Sequence, residues 1–318
     1  MKEFLTKMKI KSLRSYGTLI AALLIMAGFG ILSPEAFATP DNFINISRQI
    51  SFLVIVALGT TLVMTVGEFD LSVGAVAGLT GVLSAKLAVS GVPLAAAFTI
   101  PVFVAFLIGF VNGMIVSTFR VLSFIITLAM GTAIGGFTFW LTGGATVFEN
   151  IPEGFRFFGQ TNLGPFPFLS VIMVTLTLLF WYIMRHTVFG RKLYALGGNE
   201  HAARIAGIRV NFYKNMAFAL CSALAGIAGV LMASRLGSAH PTGGDGLFLP
   251  SYAAAFLGMT ASKEGVPNIW GSFIGAAILG ILANGLTILQ VPSFMQDVVT
   301  GLIVILAVLL QKVGSRNR

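Results

Sequence analysis

Ten apolar runs, separated by short polar connections, occupy this chain almost from end to end. They lie near 16–32, 49–66, 71–90, 93–118, 122–141, 166–184, 215–235, 247–260, 269–289 and 294–311. A helix needs about 20 mostly apolar residues to cross a bilayer. In lipid every backbone N–H and C=O must be paired within the protein, and a helix pairs them within one segment. Barrel strands would show as ten-residue stretches of alternating polarity, which this chain lacks. The sequence therefore predicts an all-α polytopic membrane protein with about ten transmembrane segments. Residues 247–260 form the short one. A helix of about 14 residues reaches about 21 Å, so this segment reads as a half-span or a buried core segment. Charged residues make up only 10% of the chain, against about 25% in soluble domains.

The basic residues predict the orientation. With the N-terminus in the cytoplasm, ten crossings return the C-terminus there too. Sixteen of the 20 Lys and Arg then fall inside: five before the first run, Arg120, six between 185 and 214, Lys263, and three at the C-terminus. Arg48, Lys86, Arg156 and Arg235 fall outside. That asymmetry follows the positive-inside rule. It also accounts for the net charge of +9 without nucleic acid, because the charges are spread over loops and ends. The lysines before the first run, with "AFA" at 36–38, imitate a secretory signal. The run is longer than a signal core and is followed by Pro34-Glu35, so it reads as an uncleaved first helix. Residues 1–318 form one transmembrane domain. Within it, 185–215 is a basic cytoplasmic loop, and the Gly-rich connection 142–165 lies outside.

Chemistry is sparse. There is no G-x-x-x-x-G-K-[ST] for nucleotide phosphates, no H-E-x-x-H and no G-x-S-x-G. Cys221 is the single cysteine, and His186, His201 and His240 are far apart, so no disulfide, metal site or cofactor is expected and the chain does not read as an enzyme. Small residues crowd the helices. "AVAGLTGVLSA" (75–85) echoes "ALAGIAGVLMAS" (223–234), and "GFVNG" (109–113) echoes "GILANG" (280–285). The two offsets disagree, so both cannot mark one internal repeat. Small residues let helix backbones approach closely.

Two places could carry function. In "GEFDLSVG" (67–74), Glu68 and Asp70 sit between two apolar runs. Asp70 precedes a helix expected to begin at Leu71 and can cap its free N–H groups. The alternative is that Asp70 or Glu68 lines a path through the membrane, where acids are costly and often functional. Glu68 has no capping duty. It could face the cytoplasmic exit or pair with Arg120. The second place is "NEHAARIAG" (199–207), a short helix capped by Asn199, with Glu200 in its first turn and Gly207 closing it. Ala202 and Ala203 leave one surface nearly bare, suited to a groove on another protein. The other reading is a solvated hairpin lying on the lipid surface. Asp297 is expected in the first turn of the last helix, where the helix dipole suffices to explain it.

The whole chain resembles the permease subunit of bacterial ABC importers for monosaccharides, of the ribose/xylose/galactose type. The landmarks are "GEFDLSVGAVAGL" (67–79), "GRKLYALGGNEHAARIAGI" (190–208), "ALAGIAGVLMASRLGSAHPTGGDG" (223–246) and "IWGSFIGAAILGILANGL" (269–286). The resemblance implies a multi-pass subunit of the bacterial inner membrane, working as a homodimer or heterodimer of permeases. It also implies a cytoplasmic ATPase pair and an external sugar-binding protein. The 199–207 helix is similar to the coupling helix of such importers, which would place Glu200, Ala202, Ala203 and Gly207 against the ATPase. Arg235 could meet an acid on the binding protein, or snorkel to the membrane surface. The expected cargo is a monosaccharide, a pentose such as ribose or xylose first, with a nucleoside or a sugar-like quorum signal as alternatives. A reading from another class is an ion-coupled secondary transporter using Glu68 and Asp70. The chain departs from the family pattern at Glu68, where Gly is usual, and over 244–258 and 260–271.

Overall fold

The computed structural model describes residues 20, 22–261 and 265–316. The basic N-terminal residues, Lys263 and Arg318, all counted in the orientation argument, lie outside the described residues.

Each apolar run corresponds to a helix, and the differences lie at the ends. In chain order the helices are α1 (Ala22–Leu32), α2 (Pro34–Phe37), α3 (Pro40–Thr65), α4 (Val73–Val89), α5 (Leu94–Phe119) and α6 (Ser123–Thr142). After a 3-10 turn come α7 (Phe157–Gln160), the paired strands β1 (Asn162–Leu163) and β2 (Phe166–Pro167), α8 (Phe168–His186) and α9 (Val188–Gly198). Then follow α10 (Glu200–Ile205), α11 (Val210–Leu236), α12 (Asp245–Ala261), α13 (Ile269–Ile288) and α14 (Ser293–Arg316). Among the described residues six helices, α3, α5, α6, α8, α11 and α13, are long and apolar enough to cross a membrane. The helices α1, α4 and α14 contribute shorter apolar stretches, and α12 carries Pro250.

The start of α3 shows why hydropathy misplaces helix ends. The helix begins at Pro40, well ahead of the apolar run at 49. The Thr39 hydroxyl accepts the Asn42 N–H at 3.2 Å, and Pro40 occupies the first helical position, where its missing N–H costs nothing. The polar first turns are then used inside the protein. The Asn42 and Asn284 carboxamides exchange two hydrogen bonds of 3.0 Å, joining α3 to α13.

Two helices form the centre. Over their most apolar windows α3 is 78% buried and α11 72%, whereas α6 is 17% buried and turns most of its surface outward. Close packing around α11 depends on missing side chains. A Cβ on Gly229 would stand 2.0 Å from the Ala77 carbonyl oxygen, and one on Gly109 2.3 Å from that of Phe218. The echoing stretches 75–85 and 223–234 therefore face each other across the α4–α11 contact. The second echo has no such relation, since Gly113 meets Asn215 while Gly285 meets Phe29.

The connection 143–167 folds down onto the ends of α4, α5 and α11. Phe155 is fully buried and stacks on Phe98 at 5.2 Å between centroids. Ser234 on α11 donates its hydroxyl to the Phe155 carbonyl and accepts the Gly159 N–H, at 2.7 and 2.9 Å. The connection 185–209 adjoins the other end of α11. A helix of 27 residues spans about 40 Å, so the two long connections lie at opposite ends of the protein.

Candidate functional site

The turn between α3 and α4 is irregular backbone, buried at Asp70 and Ser72 and open to the surface at Gly67 and Phe69, so the polar groups it encloses need partners from elsewhere. Side chains of neighbouring helices supply them. Ser123 and Thr127, one helical turn apart on α6, accept the N–H groups of Phe69 and Leu71 at 3.2 and 2.9 Å. The Tyr252 hydroxyl of α12 accepts the Asp70 N–H at 2.6 Å and donates back to the Asp70 carbonyl at 3.0 Å. The ring of Phe69 lies against Tyr252 and Phe256, with centroids 5.6 and 6.3 Å away.

Asp70 itself is completely buried. Its Oδ1 accepts the Ser72 N–H at 2.9 Å and the Ser72 hydroxyl at 2.5 Å, and its Oδ2 accepts the Ser222 hydroxyl of α11 at 3.3 Å. Asn112 of α5 donates to Ser72 Oγ at 3.1 Å. Among the described residues no Lys, Arg or His forms an ion pair with Asp70. The helix expected from Leu71 begins instead at Val73, with Ser72 in the N-cap position. The Leu71 N–H is taken by Thr127, so the chain makes a turn before it makes a helix. Asp70 closes that turn through the N–H two residues on, and does not reach into the first turn of α4.

Glu68 is not paired with Arg120. Arg120 ends α5 in a left-handed conformation, φ 53°, and is exposed. Glu68 Oε1 lies 2.7 Å from Lys214 Nζ. The same ammonium lies 2.8 Å from Glu200 Oε2, and Glu200 Oε1 lies 3.1 Å from Arg204. Lys214 belongs to the second turn of α11, not to the loop before it. Two of the sequence-derived candidates, far apart in the chain, are thus joined by a residue that was counted only for its charge.

The helix α10 has the ends its sequence predicts. Asn199 accepts the Ala202 N–H at 2.9 Å. Gly207 stands at φ +79°, and the N–H groups of Gly207 and Ile208 return to the carbonyls of Arg204 and Ala203 at 3.1 and 3.0 Å. That is a Schellman closure, which a side-chain-bearing residue at 207 would strain. Ala203 corrects the expectation of a bare alanine face. It is buried against the core, because a helix turns about 100° per residue and only one of two adjacent alanines can face out. The exposed side of α10 is His201, Ala202 and Ile205, the last 76% exposed. Lys214, and behind it Arg204, hold the Glu200 carboxyl below the usual glutamate range.

Arg235 lies at the far end of α11, with its guanidinium over the Phe52 ring at 5.8 Å and its carbonyl bonded to Gln160 at 2.8 Å. Asp297 is exposed and sits past the first turn of α14, which starts at Ser293. The sequence analysis did not single out Ser72, Asn112, Thr127, Ser222, Tyr252 or Lys214. Their shared signal is a polar side chain inside or beside an apolar run.

Residues 42–308 match the family described as the permease component of the branched-chain amino acid transport system. The chain is 41% identical to the ribose import permease protein RbsC of Escherichia coli (strain K12) over 295 residues, 92% of each chain. It is 37% identical to the D-allose transport system permease protein AlsC of the same strain over 303 residues, 95% of this chain and 92% of that one. It is 32% identical to the xylose transport system permease protein XylH of Haemophilus influenzae (strain ATCC 51907 / DSM 11121 / KW20 / Rd), covering 95% of this chain and 97% of that one. No solved structure matches the chain.

Proposed function

The chain belongs to the family of permease components of the branched-chain amino acid transport system, and from that premise we propose that it is the membrane-spanning subunit of an ATP-driven monosaccharide importer. The observation that carries this reading is near-full-length similarity to permeases for ribose, allose and xylose. A pentose is the first candidate cargo, since ribose and xylose permeases are both among these relatives. ATP is hydrolysed on a separate subunit, and an external binding protein delivers the sugar to a pair of permease subunits. With ten segments, both termini lie in the cytoplasm of a bacterial cell and the protein in its inner membrane. The opposite placement of the connections 143–167 and 185–209 on α11 supports that arrangement. In that arrangement α10 lies at the cytoplasmic face, where its exposed Ala202 and Ile205 suit a groove on the ATPase. Gly207 shapes the end of this helix, and Glu200 helps to orient it. Arg235 then lies at the external face. Its packing over Phe52 supports an anchoring role rather than a contact with the binding protein.

The reading is tested by reconstituting the chain into lipid vesicles with its ATPase and binding protein. Uptake of labelled ribose or xylose should require ATP, and Ala202→Trp should abolish it by blocking the close approach of α10. Single cysteines at Glu149 and Glu200 test the orientation against the low background of the buried Cys221. The first should react with an impermeant external reagent and the second should not. Uptake by this chain alone, driven by an ion gradient, would overturn the reading in favour of an ion-coupled carrier.

A further inference from the structure

Lys214 holds together two parts of the molecule with different duties. On one side is Glu68, in the turn whose other groups are bonded to α6, α11 and α12. On the other is Glu200, the first residue of α10. The lysine side chain is 10% exposed and Glu68 17%, while Glu200 is 45% exposed. The link therefore runs from a nearly enclosed end to a solvent-facing end. Among the described residues Lys214 is the only cation within ion-pair distance of Glu68. Two carboxylates share one ammonium, so a displacement of Glu200 changes the field and the hydrogen bonding that Glu68 receives. Glu68 lies one residue from Phe69, whose ring packs on Tyr252, and two from Asp70, whose backbone Tyr252 also clasps.

We propose that Lys214 is a positioning residue for transport, passing the movement of α10 to the turn at 66–72 through the chain Glu200–Lys214–Glu68. The proposal rests on the reading of the protein as the membrane subunit of an ATP-driven importer. It adds the route by which work at the cytoplasmic face reaches the interior. The Ser222–Asp70 bond fastens the turn to the middle of α11, whereas Lys214 fastens it to the end of α11 next to α10. That helix is continuous with the α10 connection and meets the turn through Ser222, but among the described residues the shared ammonium is the ion pair that ties the α10 side chains to Glu68. The Lys214 ammonium is engaged by two carboxylates, so its loss should uncouple the machine more than it weakens sugar recognition.

The experiment has two arms. In vesicles containing the full importer, ATP hydrolysed per sugar imported is measured per folded complex. Lys214→Met should raise that ratio about five-fold or more, the lower end of an ordinary coupling energy, and Lys214→Arg should restore most of it. Glu68→Gln and Glu200→Gln should each raise the ratio, and the double variant should do no worse than the poorer single one, because both act through one cation. In the isolated subunit, Glu68→Gln should speed amide hydrogen exchange over 199–208, although residue 68 is not in that segment. A normal ratio in Lys214→Met, or effects of Glu68→Gln and Glu200→Gln that multiply independently, would overturn the proposal. If the unaltered importer moves no sugar, the functional reading fails first. The exchange arm then decides the link by itself, and unchanged exchange over 199–208 overturns it. Should Lys214→Met fail to fold, the two Gln variants and Lys214→Arg carry the test.

Discussion

Glu68 and Asp70 stand two residues apart in one turn and are held by opposite chemistry. Asp70 is sealed inside the helix bundle, where its carboxylate accepts from two hydroxyls and one backbone N–H. Glu68 stands at the edge of the bundle and takes a lysine that it shares with Glu200. The difference follows from how far each is from water. A cation beside Asp70 would have to be desolvated as well, at a cost of several kcal/mol per ion, whereas short hydroxyl donors already belong to packed helices. At the edge, where the Lys214 ammonium also reaches the half-exposed Glu200, an ion pair costs less desolvation and can also be rearranged. The interior acid thus suits a fixed joint among α4, α11 and α12, and the edge acid suits a contact that moves.

The largest expected effect tests the fixed joint. Asp70→Ala leaves the Ser72 N–H, the Ser72 hydroxyl and the Ser222 hydroxyl without their acceptor, and each buried unpaired donor costs about 1–3 kcal/mol. The yield of folded protein from membranes and its thermal midpoint should both fall sharply. Asp70→Asn keeps the acceptor oxygen facing Ser72 and should recover most of the loss. If Asn proves as damaging as Ala, the negative charge matters more than the acceptor, and the comparison collapses.

A smaller effect is expected at the edge. Glu68→Gln removes one partner of an ion-pair cluster that opens to solvent at Glu200, and Lys214 keeps its bond to Glu200, so the cost should stay below the roughly 3–5 kcal/mol of stranding a buried charge. The gap between it and the unaltered protein should narrow in 1 M salt, where the screening length is about 3 Å. The deficit of Asp70→Ala should ignore salt. Equal salt responses in thermal unfolding would show that the two acids do not differ in kind.

The smallest effect belongs to Glu200 and appears with pH. Its folded carboxyl titrates below the ordinary value of 4.5 because Lys214 favours the charged form. Its contribution is therefore complete above that ordinary value and is lost as pH falls through the lower folded one. For a half-exposed group the size is a few tenths of a kcal/mol. Protection of α10 amides in the unaltered protein and in Glu200→Gln should differ near neutral pH and converge in acid. A difference that persists below the pH at which the folded carboxyl takes up its proton would remove the ion pair as its cause.

Much of this was legible from residue order, and for identifiable reasons. The helix α10 could be read from Asn199 and Gly207 because caps are local: the bonding partner lies three to five residues away. Glu200 could be placed in its first turn for the same reason. The partner of Glu68 could not be read, because Arg120 and Lys214 are both basic and both fall on the expected cytoplasmic side. Only packing places Lys214 beside Glu68 and leaves Arg120 exposed in a left-handed corner. Ala203 misled for a related reason. Alanine is equally at home on a bare surface and in a tight core, so its type does not tell which way it faces.

By itself the sequence determined the class of molecule, the helices, their coarse boundaries and the capped loop helix, because hydrophobic length and capping are properties of short stretches. Residues such as Asn112, Thr127, Ser222 and Tyr252 are unremarkable in their own helices. Tertiary structure alone decided that they converge on one turn around the buried Asp70, and that one lysine joins residues 68 and 200. A buried polar group must find its partner wherever the fold brings one, and segments distant in the chain have no local signal for meeting.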